Sequence, residues 1–268
     1  MKLSVGAQTD VGLVRQNNED NFFIAPEMGL LVVADGMGGH ASGEVASKMA
    51  IDVIRDYFNG VSSGREKLIG RYQDEFSRAT NRIASAMRLA NMAVYEAAKN
   101  FPQWQGMGTT LAGVFIEDNR LSIAHVGDSR VYLIRAGEIE QLTDDHSLVY
   151  EQVKRDLITK EEAEKSEMKN ILTRAIGTMP EVDVDIDEMS ITGDDILVLC
   201  TDGLSGMVLD DQILSVVMAT RDPNAACDNL IRMANENGGR DNVTVITAYV
   251  KKERWFSSLM NFLEWFRR

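Results

Sequence analysis

Three aspartates in this 268-residue chain stand at the ends of apolar runs, in "VVADG", "VLCTDG" and "GGRDN": Asp35, Asp202 and Asp241. In the first two, a strand-like run delivers the carboxylate to its end and a glycine lets the chain turn away. The third precedes "NVTVITAYV" and so opens a strand. Any one of them alone reads as an ordinary turn aspartate. Three such carboxylates can converge only if a cation neutralises them, since repulsion would otherwise raise their pKa values. An all-oxygen donor set favours magnesium or manganese, and the shortage of Cys and His argues against zinc.

Two further segments carry charge. "RQNNEDN" places Arg15, Glu19 and Asp20 just before a strand. An arginine beside an acidic cluster could hold a phosphate through its planar fork, although the segment alone also reads as a solvated turn. "VGDSR" sets Asp128 in what reads as a hairpin turn.

The elements that must position these residues follow from apolar periodicity. Short β-like runs come first, "KLSVGAQ", "DNFFIAP" and "GLLVVAD". A helix is expected from about Ser42, a plausible N-cap, to Asn59. A second runs to about Asn100, with Ile83, Met87, Ala90 and Val94 at the three- and four-residue spacing of one helix face. "TTLAGVFIED", "RLSIAHVG" and "RVYLIRAG" then read as strands, with turns at "DN", "DS" and "GE" short enough for antiparallel hairpins. A polar interval from about Asp145 to Asn170 contains a capping box from Thr159 to Glu162. "DDILVLCTDG" and "NVTVITAYV" are strands separated by helices near Asp210 to Ala219 and Pro223 to Asn237. The order lacks the strict alternation of a parallel doubly wound sheet. Antiparallel sheets covered by helix pairs fit it better.

Composition narrows the class. Hydrophobic residues make up 44%, enough for a large core, and no long linker divides the chain. A net charge of −13 argues against nucleic-acid binding. Two cysteines, no signal-like apolar segment and no long apolar run point to a cytoplasmic protein. Cys200 lies inside an apolar strand and reads as a core residue. The last residues, "ERWFSSLMNFLEWFRR", carry Trp255, Leu259, Phe262 and Phe266 at helical spacing.

Taken in order, "RQNNED", "VADGMGGH", "GMGTTL", "AHVGDSRVYLI", "QLTDDHS", "LTRAIG", "LCTDGL" and "GGRDNVTVI" resemble the metal-dependent protein phosphatase 2C family of serine/threonine phosphatases, in its compact bacterial form. The matching segments cover Arg15 to about Ile246. The resemblance implies an α+β fold, a four-layer α/β/β/α sandwich of two antiparallel sheets flanked by helix pairs. It implies a catalytic domain over residues 1–250 with a flap at about 147–170, followed by the amphipathic tail at 251–268. It also implies two Mn2+ or Mg2+ ions. Asp35 would bridge them, the Gly36 carbonyl would complete one shell, and Asp202 and Asp241 would ligate the other ion. Glu19 and Asp20 would lie nearby, largely through waters. Arg15 would hold the substrate phosphate, and Asp128 would contribute to a third, weaker metal site.

The expected activity is hydrolysis of phosphoserine and phosphothreonine proteins by a water activated between the two ions, in opposition to a bacterial serine/threonine kinase. The rival expectation is a catalytically weak phosphoprotein-binding or scaffold module recruited through the C-terminal helix. Lost metal ligands would mark it, and all of them are present.

Met37 departs from the histidine that many eukaryotic members carry in the glycine turn and cannot donate a proton to a leaving group. Among the three histidines, His125 reads as packed, His146 as a positioning hydrogen-bond residue, and His40 as a residue that could approach the leaving group. The tail could pack on its own domain, mediate dimer contacts, or dock to a partner or a membrane surface, leaving the protein peripheral there.

Overall fold

The computed structural model describes residues 1–38, 42–61, 68–159, 162–163 and 166–251. The tail from residue 252 onward and His40 therefore lie outside the described residues.

Two antiparallel sheets stack face to face. The first contains β1 (Lys2–Asp10), β7 (Arg130–Arg135), β8 (Glu138–Gln141), β10 (Ile196–Cys200) and β11 (Val243–Lys251), in the order β1-β11-β10-β7-β8. The second contains β2 (Asp20–Ala25), β3 (Leu30–Met37), β5 (Leu111–Glu117), β6 (Arg120–Val126) and β9 (Asp185–Ser190), in the order β2-β3-β5-β6-β9. The short β4 (Gly108–Thr109) pairs with β3. Helices α1 (Ser42–Val61) and α2 (Arg78–Asn100) cover the second sheet. The short α4 (Asp202–Ser205), with α5 (Asp210–Ala219) and α6 (Pro223–Glu236), covers the first. This is the four-layer α+β sandwich expected from the sequence.

Both faces of each sheet are covered, which explains why β3 reads as an unbroken apolar run rather than an alternating one. Leu30, Val32 and Ala34 pack toward the helices with Ile83, Met87, Ala90 and Val94. Leu31 and Val33 pack between the sheets, against Leu197, Leu199 and Ile246 of the other sheet. The outer face of the first sheet buries Val198, Cys200, Val243 and Val245 under Leu230 and Ile231 of α6.

Several local expectations change. The "DS" segment is not a hairpin: β6 and β7 belong to different sheets, so Gly127–Ser129 is the crossover between them. The true two-residue hairpins are Asp118–Asn119 and Ala136–Gly137, where all four residues have positive φ, the primed geometry that matches strand twist. Ser42 is helical rather than capping, and its hydroxyl donates to the Gln103 carbonyl at 3.4 Å. β8 and β9 were not legible, being polar and at sheet edges. Within the polar interval, α3 spans Leu148–Lys154, and the Thr159–Glu162 capping box forms reciprocally at 2.8 and 3.2 Å.

Gly127 carries the crossover at φ +108, and an added Cβ would stand 2.6 Å from Thr110 Cβ. Gly127→Ala is therefore expected to lower stability by roughly 2 kcal/mol or more, from a strained backbone plus a clash with a buried side chain. Chemical denaturation checks this, and an unchanged midpoint would show that the crossover can relax.

Candidate active site

Period-two alternation decides where the carboxylates point. On β3, Leu31 and Val33 face the gap between the sheets, so Asp35 does too. On β2, Phe22 and Ile24 face the same gap, and Asp20 shares their parity. Asp20 and Asp35 are directly opposite each other in the β2–β3 ladder. Like charges in that position destabilise a sheet unless something offsets them. The other sheet supplies the facing groups at the same end. Asp202 opens α4 just after β10, and Asp241 lies two residues before β11. Asp128 arrives on the crossover.

A cavity of about 460 Å³ results at the end of the sandwich where both sheets stop. Arg15, Glu19, Asp35, Gly36, Asp128, Asp202 and Asp241 all line it. Of the residues expected to hold metal or phosphate, only Asp20 is not on its wall; it is buried, bonded to Thr201 and Thr244. Met37 lines the cavity as well, with Asn170 at the end of the expected flap and Leu172 and Thr173 just after it.

Burial and mutual repulsion govern the electrostatics. Burial, with the charges of Asp20 and Asp202, pushes the Asp35 carboxyl well above its ordinary value. Burial takes Asp20 to about 7 against the pull of two threonine hydroxyls, and takes Asp128 to about 8 with help from Asp202. Asp202 is raised by burial and then by Asp241, while a hydrogen bond with Asp35 opposes the shift. Burial also raises Glu19, opposed by the Gly43 amide at the start of α1. Arg15 donates to Asp241 Oδ2 at 2.7 Å with its side chain half exposed, and that bond raises its own pKa.

The donor set fits hard divalent cations: carboxylate and carbonyl oxygens, with two buried oxygens, Asp20 Oδ1 and Asp202 Oδ1, lacking a hydrogen-bond partner among the described residues. Gly36 is required at the mouth, because a Cβ there would meet the Gly43 carbonyl oxygen at 2.1 Å and the Glu19 carbonyl oxygen at 2.5 Å.

A supporting layer escaped the sequence reading. Thr201 Oγ1 and Thr244 Oγ1 donate to Asp20 Oδ2 at 2.8 and 2.7 Å, both from the first sheet onto the second. The Asp35 amide donates to Thr110 Oγ1 at 3.0 Å, the Thr110 amide donates to the Asp35 carbonyl at 2.8 Å, and Thr110 Oγ1 lies 2.7 Å from Ser129 Oγ beside Asp128. Asn242 accepts from the Glu19 amide and donates to the Val11 and Asn17 carbonyls, tying the Arg15 loop to Asp241. Strand parity was the available signal for Thr201 and Thr244. None existed for Asn242, whose partners are more than 200 positions distant in sequence.

The histidines form a separate cluster. His125, His146 and Asp185 present ligand atoms within 4.8 Å of one another. Each is already engaged: His125 Nε2 with the Asp144 carbonyl at 2.8 Å, and His146 Nε2 with Asp185 Oδ2 at 3.2 Å. His146 Nδ1 accepts from the Gly127 amide at 3.0 Å, and Asp185 also pairs with Arg174. This agrees with His125 as a packed residue and His146 as a positioning one, pinning the crossover that bears Asp128.

Comparison with known proteins follows the same lines. A family model described as protein phosphatase 2C matches residues 12–243. The serine/threonine phosphatase stp of Listeria monocytogenes is 36% identical over 242 residues, covering 89% of this chain and 92% of that protein. The crystal structure of the Mycobacterium tuberculosis serine/threonine phosphatase PstP/Ppp superposes with a TM-score of 0.83 at 34% identity, covering 94% of this chain and all of that one. A structure of the PstP catalytic domain in complex with two manganese ions gives a TM-score of 0.81 at 35% identity, covering 94% and 99%.

Proposed function

The chain belongs to the protein phosphatase 2C family, and we propose that its carboxylate-lined cavity is the active site of a metal-dependent serine/threonine phosphoprotein phosphatase. The observation that carries this reading is the convergence of Asp35 from one sheet with Asp202 and Asp241 from the other on one cavity, over the buried Asp20, with two buried carboxylate oxygens that have no hydrogen-bond partner among the described residues. The rival, a weakly catalytic binding module, gains no support: the relatives are phosphatases, and no expected ligand is missing.

A related catalytic domain is described with two manganese ions, and this donor set suits the same pair, Mn2+ or Mg2+. Asp35, the Gly36 carbonyl, Asp202 and Asp241 would hold them. Glu19 and Asp20 would support the shell through water, and Asp128 would serve a third, weaker position. When bound, such ions supply hydroxide at neutral pH and offset charge on the phosphoryl group.

The chain's own residues do the rest. Arg15 stands at the cavity mouth with one edge of its guanidinium on Asp241, leaving N–H donors for phosphate oxygens. The buried Thr201 and Thr244 hydroxyls fix Asp20, and Thr110 holds the Asp35 backbone, so the carboxylates meet substrate already oriented. Met37 on the wall brings no proton to the leaving oxygen.

The substrates are phosphoserine and phosphothreonine proteins. We assign as partner a serine/threonine kinase whose products this enzyme removes, and as compartment the cytoplasm, consistent with free, buried Cys200 and Cys227. Among the described residues no helix is long and apolar enough to cross a membrane. Docking of the tail to a partner or a membrane surface is a further proposal on residues outside those described.

The decisive test is phosphate release from a phosphothreonine peptide and from an aryl phosphate in the presence of Mn2+. Turnover of both is expected, and turnover of neither would overturn the reading.

A further inference from the structure

Beside the catalytic cavity lies a smaller one of about 250 Å³, between the last turns of α2 and two loops. Tyr95, Ala98 and Lys99 form one wall, Gly106 and Met107 another, and Thr178 lines both this cavity and the catalytic one. The partition is thin. A Cβ on Gly108 would stand 2.7 Å from Met37 Cε and 3.2 Å from Thr178 Cγ2, and Met37 belongs to the catalytic wall.

The walls are held before any ligand arrives. The Gly177 amide donates to Asn91 Oδ1 at 2.8 Å, and Asn91 Nδ2 donates to the Met179 carbonyl at 3.0 Å. Thr109 and Ile176 exchange backbone hydrogen bonds at 3.1 and 2.9 Å. Gly106 leaves an opening, since nothing lies within 4 Å of where its Cβ would stand. Lys99 is exposed and makes no ion pair among the described residues, in a chain of net charge −13. A rigid recess that adjoins the catalytic cavity and carries one uncommitted cation suits an extended chain bearing an anionic side chain.

We propose that this second cavity is a substrate subsite: it receives the residues beside the phosphorylated serine or threonine, and Lys99 selects an anionic side chain among them. The proposal rests on the phosphatase reading and adds to it a preference in the substrate protein. An acidic residue and a second phosphorylated residue offer the same chemistry to an ammonium group, which binds either as a point charge.

The test uses the full chain with Mn2+ and a set of phosphoserine peptides. In each, a single glutamate, a second phosphoserine or an alanine occupies one position on either side of the reacting residue. Wild type is expected to favour an anion at one position by about threefold to fivefold in kcat/KM, the scale of one partly exposed ion pair. The glutamate and phosphoserine arms show which anion it takes. Lys99→Glu should reverse the preference and Lys99→Ala should erase it, while aryl phosphate turnover stays unchanged because that substrate has no flanking residues. Gly106→Asn, whose side chain tolerates the left-handed backbone and would enter the opening, should raise peptide KM alone. A flat positional profile in wild type, a preference that survives Lys99→Glu, or an equal fall in aryl phosphate turnover would each overturn the subsite. Failure of wild type to hydrolyse aryl phosphate would instead overturn the phosphatase reading.

Discussion

Removal of divalent cations by a chelator is expected to abolish hydrolysis of phosphopeptide and aryl phosphate alike, and to leave a fold that weakens as pH rises. Five carboxylates, Glu19, Asp20, Asp35, Asp128 and Asp202, are raised above their ordinary values at one end of the sandwich, with Asp20 at about 7 and Asp128 at about 8. Without cations the folded chain keeps protons there that the unfolded chain has already released. That contribution to stability is full below about pH 4, where both states are protonated. It is lost as pH rises through the folded values, up to about 8.

Groups with lowered values act in the other direction. Glu188, held at about 2 by Ser77, Thr80 and Arg120 against its own desolvation, favours the fold above the ordinary carboxylate range and loses that effect in acid. His125, kept neutral by burial, opposes the decline only below about pH 6.5. The metal-free melting temperature should therefore fall from about pH 6.5 to pH 8, and Mn2+ should remove most of the decline by supplying the missing positive charge. Thermal melts across that range, with chelator and with Mn2+, give the answer. A metal-free protein that becomes more stable over the same interval, or one that keeps full activity in chelator, contradicts the assignment.

Asp35→Asn is expected to cut turnover at least ~100-fold, because it removes the carboxylate that lies between both halves of the site. The substitution keeps the shape of the side chain. The hydrogen bonds from Thr109 and Thr110 to this residue are to its backbone and survive. In the metal-free state the same substitution relieves repulsion from Asp20, directly opposite in the ladder, and from Asp202. The variant should thus be less active with Mn2+ and more stable than wild type in chelator at pH 8. A misfolded protein would lose on both counts, so the opposed signs identify an electrostatic role. Asp241→Asn should give a comparable loss of turnover, and it also frees Arg15 from its ion pair. A loss below ~10-fold in either variant would remove that residue from the centre of the site.

Much of this is legible in the sequence. The run from Leu30 to Ala34 has to be a strand covered on both sides, since five consecutive apolar residues cannot alternate between core and water. Ile83, Met87, Ala90 and Val94 recur at helix spacing and all prove fully buried. Local rules gave less at the connections. The segment at Gly127–Ser129 is as short as a hairpin turn, and nothing local distinguishes a strand that folds back from one that passes to the other sheet. That choice depends on the edge of β7 pairing with β10, a contact made some 65 residues later in the chain. β9 is not legible in the sequence because this edge strand carries Asp185, Asp187 and Glu188 in place of apolar residues, and Asp185 and Glu188 are engaged by His146, Ser77 and Thr80 from distant segments.

The sequence by itself determined which residues could carry the chemistry: the aspartates at the ends of apolar runs, the arginine among acids, the glycines that let backbone approach, and the order of motifs. Tertiary structure alone decided that these groups meet. Strand parity fixes only the face on which Asp20 or Asp35 points. The stacking of two sheets, each contributing its own strand ends, gathers separate carboxylates around one cavity, and desolvation together with mutual repulsion makes that cluster suited to cations.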